Sequence, residues 1–160
     1  MSLTIRSARP GEAPLVLAFV RELAEYEKLS HEVAATEADI DAALFGDNPR
    51  VFCDIAEWDG APAGFAVWFL NFSTFSGRHG LYLEDLFVRP ALRRKGIGKA
   101  LMIHLANRCA ENGWGHFQWS VLDWNTPSIE FYKSLGAVML DEWTGVRVSG
   151  DALKRLAERG

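Results

Sequence analysis

Glu84-Asp85-Leu86-Phe87-Val88-Arg89-Pro90-Ala91-Leu92-Arg93-Arg94-Lys95-Gly96-Ile97-Gly98-Lys99-Ala100-Leu101 reads as the end of a strand, a basic loop, a glycine pair and the start of a helix. Gly96 and Gly98 let the backbone approach a ligand closely and take conformations that a side chain disfavours. The first N–H groups of a helix have no intrahelical acceptor. Together with the positive end of the helix dipole they form a site for an anion such as a pyrophosphate. Arg93, Arg94, Lys95 and Lys99 add positive charge around it. Two other nucleotide loops are excluded. The Walker pattern needs Gly-Lys-Ser/Thr after four residues and an earlier Gly, which the chain lacks. The dinucleotide fingerprint needs a third Gly where Leu101 stands.

Outward from this turn, the chain alternates strands and helices. After it, Leu101, Leu105 and Cys109 recur at helical spacing, and Asn112-Gly113 ends that helix. His116 to Leu122 is strand-like. Thr126-Pro127 opens a short helix that Gly136 closes. Ala137 to Leu140 and Thr144 to Val148 are expected as the last strands, with a closing helix over Asp151 to Arg159. Before the turn, Leu81 to Val88 is a strand preceded by a turn at Gly77 to Gly80. Val51 to Trp58 and Ala63 to Phe72 form a hairpin about Asp59-Gly60. Leu3 to Arg6 alternates as a short strand. Leu15, Val16, Phe19, Val20 and Leu23 mark a helix ending near Tyr26-Glu27. Thr36 caps a second helix that Gly46 ends. The expectation is one α/β domain over residues 1–160, with a central sheet flanked by helices.

Composition excludes several classes. The chain has 160 residues, 49% hydrophobic, with a net charge of −4, so a globally basic nucleic-acid binder is not expected. No apolar run reaches the length of a membrane span, and the first residues lack the apolar core of a signal peptide. Two isolated cysteines, Cys53 and Cys109, fit a reducing cytoplasm. The four histidines show no ligand spacing, so no metal is expected. Charge is uneven. Twelve acidic and three basic side chains lie between Glu12 and Asp59, whereas two acidic and five basic ones lie between Glu84 and Lys99. That asymmetry suggests two ligands of opposite sign, a cation and a polyanion.

The turn Arg93-Arg94-Lys95-Gly96-Ile97-Gly98 resembles the Arg/Gln-x-x-Gly-x-Gly/Ala loop of the GCN5-related N-acetyltransferases, the GNAT superfamily. Asn125-Thr126-Pro127-Ser128-Ile129-Glu130-Phe131-Tyr132-Lys133-Ser134-Leu135-Gly136-Ala137 is similar to that family's second signature. Tyr82 to Val88 and Leu23 to Glu27 resemble the diamine branch, the spermidine/spermine and thialysine acetyltransferases. Arg94 and Lys95 stand where that branch carries Gly and an aromatic. The Ser76-to-His79 turn and the Asp141-to-Val146 stretch also differ.

The resemblance implies a GNAT-like fold with a mixed, mostly antiparallel, splayed sheet. It implies an acetyl-CoA-dependent N-acetyltransferase acting by direct transfer in a ternary complex on a small cationic amine, a diamine, polyamine or lysine analogue. A homodimer is implied as well. Acetyl-CoA would lie on the main chain of Leu86, Phe87 and Val88, on Arg93, Arg94, Lys95, Gly96, Ile97, Gly98 and Lys99, and against Asn125 and Ser128. A main-chain N–H near Leu86 would steady the developing oxyanion. The amine (pKa ~10.4 when free) arrives protonated. Glu84 would take its proton or anchor it, while strand alternation sends Asp85 to the other face. Tyr132 would protonate the thiolate. Tyr26, Glu27, Asp85, Gln118, Trp119 and Ser120 complete the expected amine side. Two alternatives stand beside this reading: acetylation of a protein lysine or N-terminus, and a non-catalytic acyl-CoA-binding module.

Overall fold

The computed structural model describes residues 2–159. The chain forms two compact units that divide between Leu122 and Asp123. The first carries the sheet, in the order β1 (Leu3–Ser7), β2 (Phe52–Trp58), β3 (Ala61–Ser73), β4 (Arg78–Val88) and β5 (Phe117–Trp119). The first four pair antiparallel, and β5 joins β4 in parallel. This is the mixed, mostly antiparallel α/β sheet expected. It is also splayed, since β5 pairs only with Leu81, Tyr82 and Leu83 of β4.

Helix α1 (Ala13–Tyr26) starts with a proline in its first turn and buries Val16, Phe19 and Leu23 against Cys53, Ile55, Phe65 and Phe87 of the sheet. Phe19 and Phe65 stack at 5.1 Å between ring centroids, both fully buried. A buried phenylalanine contributes about 1.5–3 kcal/mol, so this pair anchors α1 on β3. Arg89, just past β4, pairs with Glu22 at 3.1 Å and lies over the Phe19 ring. Helix α2 (Glu37–Phe45) begins with a reciprocal cap between Thr36 and Asp39. Helix α3 (Ile97–Asn112) follows the glycine turn and buries Ile97, Leu101, Met102, Leu105 and Cys109, so the apolar stripe read from the sequence is its core face. Burial pushes the Cys109 thiol upward, which suits a packing residue.

Two expectations for the sheet are corrected. The hairpin between β3 and β4 runs further than expected: His79 and Gly80 pair with Phe72 and Asn71 instead of forming a turn. The cause is local. The His116 ring occupies the space that a Cβ on Gly80 would need, and its Nε2 lies 2.6 Å from Asn71 Oδ1. The glycine therefore admits the ring and does not break the strand. The strand-like stretch His116 to Leu122 forms ladder pairs only over β5, where β4 faces it.

The second unit holds α4 (Thr126–Ser134) and α5 (Gly150–Ala157). The strands expected over 137–140 and 144–148 do not form. Val138 and Val146 are exposed, so the alternating pattern of this segment buries no apolar face.

Candidate active site

The glycine turn leaves a bare helix end. Gly96 takes the left-handed conformation (φ +80°) as the residue before α3, and a Cβ there meets nothing within 4 Å, so its backbone angle is what favours glycine. No side chain caps α3 and no acidic residue lies in its first turn. The N–H groups of Ile97, Gly98 and Lys99 thus face outward without an intrahelical acceptor. Arg94 is also left-handed (φ +66°), a conformation that costs a non-glycine residue about 1–2 kcal/mol. Gly98 lies within the first turn of α3, outside the left-handed region. What it contributes is the absence of a side chain over the amides.

The cations around the turn divide. Arg93 lies 4.8 Å from the Tyr26 ring and 5.5 Å from the Phe87 ring, and its Nε donates to Val88 O at 3.0 Å. It therefore links the turn to β4 and to the end of α1. Lys95 stands over the Trp58 ring at 5.3 Å. Arg94 and Lys99 are exposed.

Along β4, the register jumps between Val67 and Trp68, which face Asp85 and Leu83, so Glu84 is the extra residue of a β-bulge. Beyond Leu83, β5 no longer covers the outer edge of β4. Arg89 N donates inward to Ala63 O, so alternation turns the main-chain groups of Leu86 and Val88 to that open edge. The side chain of Phe87 packs inward in the core.

The bulge also assembles the acidic residues. Helix α1 ends in a Schellman motif, with Leu29 N–H donating to Ala24 O, Lys28 N–H to Glu25 O, and Lys28 left-handed (φ +62°). This end sets Tyr26 and Glu27 beside β4. Burial raises the Glu27 carboxyl above its ordinary range. Asp85 is pushed up to about 6, first by burial and then by the charges of Glu84 and Glu27. Glu84 is exposed at the bulge. On β5, Trp119 faces Leu83 and Gln118 faces Tyr82, while Ser120 Oγ shares a 2.8 Å hydrogen bond with Tyr82 OH.

In the second unit, Asn125 caps α4 by accepting from Ser128 N–H at 3.4 Å, and Tyr132 lies on that helix beside Phe131, their ring centroids 5.4 Å apart. Among the described residues, no group of three or more His, Cys, Asp or Glu side chains could hold a metal ion. No described helix is long and apolar enough to cross a membrane.

The chain as a whole is similar to known acetyltransferases. The profile described as "Acetyltransferase (GNAT) family" covers residues 17–137. The chain belongs to the GNAT acetyltransferase family. A curated GNAT relative, the thialysine N-epsilon-acetyltransferase of Sus scrofa, is 38% identical over 98% of each chain. The L-ornithine N5-acetyltransferase NATA1 of Arabidopsis thaliana is 30% identical over 95% of this chain and 86% of that one. An integron cassette protein from the mobile metagenome of V. cholerae superposes with a TM-score of 0.82 at 31% identity, covering 99% of each chain. The protein is thus a GNAT N-acetyltransferase, and the co-substrate of this family is acetyl-CoA.

Sequence reasoning did not anticipate three features of this region: the bulge at Glu84, the stacking of Arg93 against Tyr26, and the Tyr82–Ser120 contact. Each depends on a partner remote in the chain. The charge contrast between Glu12–Asp59 and Glu84–Lys99 was the available signal for the first two.

Proposed function

We propose that the enzyme acetylates a primary amine of a small diamine, polyamine or lysine-like amino acid by direct transfer in a ternary complex. The observation that carries this reading is the convergence of Glu27, Glu84 and Asp85: burial first, and then the charges of Glu84 and Glu27, push Asp85 up to about 6. A site that crowds carboxylates together favours a ligand that brings positive charge. The names of the thialysine and ornithine acetyltransferases, both acting on amines of small molecules, support the same class.

In this proposal the pyrophosphate of acetyl-CoA rests on the amides of Ile97, Gly98 and Lys99, with Arg94, Lys95 and Lys99 nearby. The main chain of Leu86 and the N–H of Val88, on the edge that β5 leaves uncovered, hold the pantetheine arm, and an N–H there polarises the acetyl carbonyl. Acetyl-CoA supplies the activated thioester. Glu84, exposed at the bulge, anchors the incoming ammonium. Asp85, pushed up to about 6, takes up the proton that must leave before the amine attacks. This divides the part that the sequence reading gave to Glu84 alone. Tyr132 donates a proton to the departing thiolate, and Asn125 and Ser128 serve the cofactor side. Tyr26, Gln118, Trp119 and Ser120 line the amine side. The whole chain, 1–160, works as one catalytic domain, as a homodimer in the cytoplasm; two free thiols suit that reducing compartment.

Release of CoA thiol across a panel of polyamines, diamines, lysine analogues and peptides tests the reading. Diamines and lysine analogues are expected to turn over, and kcat/KM should fall below about pH 6 as Asp85 protonates. Asp85→Asn should remove that limb, whereas Glu84→Gln should raise KM for the amine. Turnover confined to peptides would overturn the substrate class.

A further inference from the structure

On the β1–β2 side of the sheet lies a cavity of about 190 Å³, and none of its lining residues belongs to β4 or to the glycine turn. Two opposite charges line it without meeting. One is Asp54, in β2, only 2% exposed. Its carboxylate accepts from Trp68 Nε1 at 2.9 Å and, more weakly, from Ser7 Oγ at 3.5 Å, both neutral donors. His104 Nε2 stands 3.7 Å away, too far for a hydrogen bond, and is itself buried without a partner. The other charge is Arg108, one helical turn beyond His104 on α3. It is half-buried, it lies 5.3 Å over the Trp68 ring, and no carboxylate of the described residues pairs with it. Leu44, Phe45 and Phe52 supply apolar wall.

A buried carboxylate and a half-buried guanidinium are each costly to leave incompletely paired: the ion-pair partner of Asp54 is the His104 ring at 3.7 Å, short of hydrogen-bond contact, and Arg108 has no ion pair among the described residues. Had they been there only to support the fold, the economical arrangement would join them in one ion pair. Here they face one cavity separately, beside an apolar surface, and the cavity has room for about six water molecules. We propose that this cavity is a second ligand site that binds a small free amino acid as its zwitterion: the ammonium on Asp54, the carboxylate on Arg108, and an aliphatic side chain against Leu44, Phe45 and Phe52. The ligand then gives Arg108 its counter-ion, adds a charged hydrogen-bond donor to Asp54 beside the His104 ring, and covers the apolar wall.

The test uses the full-length protein without acetyl-CoA, with L-leucine, 3-methylbutylamine (leucine without its carboxylate) and 4-methylpentanoate (leucine without its ammonium) as probes. Binding is read by isothermal titration and by Trp fluorescence. L-Leucine should bind, and each analogue should bind about tenfold or more weakly, since each loses one charged hydrogen-bonding partner. Arg108→Ala, at a half-buried position, should weaken leucine by about tenfold or more. Asp54→Asn, which keeps an acceptor for Trp68, should do the same. A Glu84→Gln/Asp85→Asn double variant should bind leucine as the wild type does, which separates this cavity from the amine site. Absence of leucine binding at concentrations of about 10 mM would overturn the proposal. So would equal binding of either analogue, unchanged affinity in Arg108→Ala, or loss of binding in the double variant.

Discussion

Asp85 shows how a site residue is set against the stability of its own fold. Its carboxyl ionises near 6 in the folded protein and near 3.8 in an unperturbed chain. Between those values the folded state binds more protons than the unfolded one, so this residue's contribution to stability declines as pH rises from about 4 to about 6 and stays at its lowest above that. Asp85→Asn removes the ionisable group. Thermal or urea unfolding at pH 7.5 should find the variant more stable by about 1–3 kcal/mol, with the gain vanishing toward pH 3.5, in the order expected for a shift of this direction and size. Equal stability at pH 7.5 would mean that Asp85 is not crowded by burial and by Glu84 and Glu27. The identity of the acidic pair was legible in the chain, since Glu84-Asp85 stands next to the basic turn. Which of them is buried was not, because the bulge that replaces simple alternation arises from the pairing of β4 with β3.

The start of α3 shows the same contrast in a structural element. That a helix follows the glycine turn was readable from residue types, because an uncapped, glycine-led helix start depends on local backbone chemistry; it starts at Ile97, so Gly98 and Lys99, read as loop, lie in its first turn. The two glycines nevertheless do different things. Gly96 supplies the left-handed turn, while Gly98 keeps the first turn open. Gly98→Val therefore separates binding from folding. Its backbone is one that valine can adopt, so the melting temperature should stay close to that of the wild type, while affinity for acetyl-CoA falls by about tenfold or more because the side chain covers the amides. Isothermal titration showing normal affinity would remove this turn from the cofactor site. The position of Arg93 was not readable, since a guanidinium in a basic turn carries no mark telling a phosphate ligand from one stacked on Tyr26 and Phe87.

For the protein as a catalyst, the chain must bring a thioester and an amine together and handle two protons, one leaving the amine and one arriving at the thiolate. Tyr132→Phe is expected to lower kcat by about tenfold or more while leaving acetyl-CoA affinity nearly unchanged, since general acid catalysis contributes about 10²–10⁴-fold and a thiolate of pKa ~8.5 needs only part of it. Stopped-flow turnover together with equilibrium titration checks both halves, and an unchanged kcat at every pH would exclude Tyr132 as the acid. The order of elements as far as α4, the core faces of α1 and α3 and the glycine turn could be read from the one-dimensional pattern because capping, glycine conformation and amphipathic periodicity act over a few residues. The splay between β4 and β5, the bulge at Glu84, the meeting of Glu27 with Asp85, and the cavity between Asp54 and Arg108 could not. Each joins residues far apart in the chain, through sheet register and burial, and these exist only once the strands have paired and the helices have packed on them.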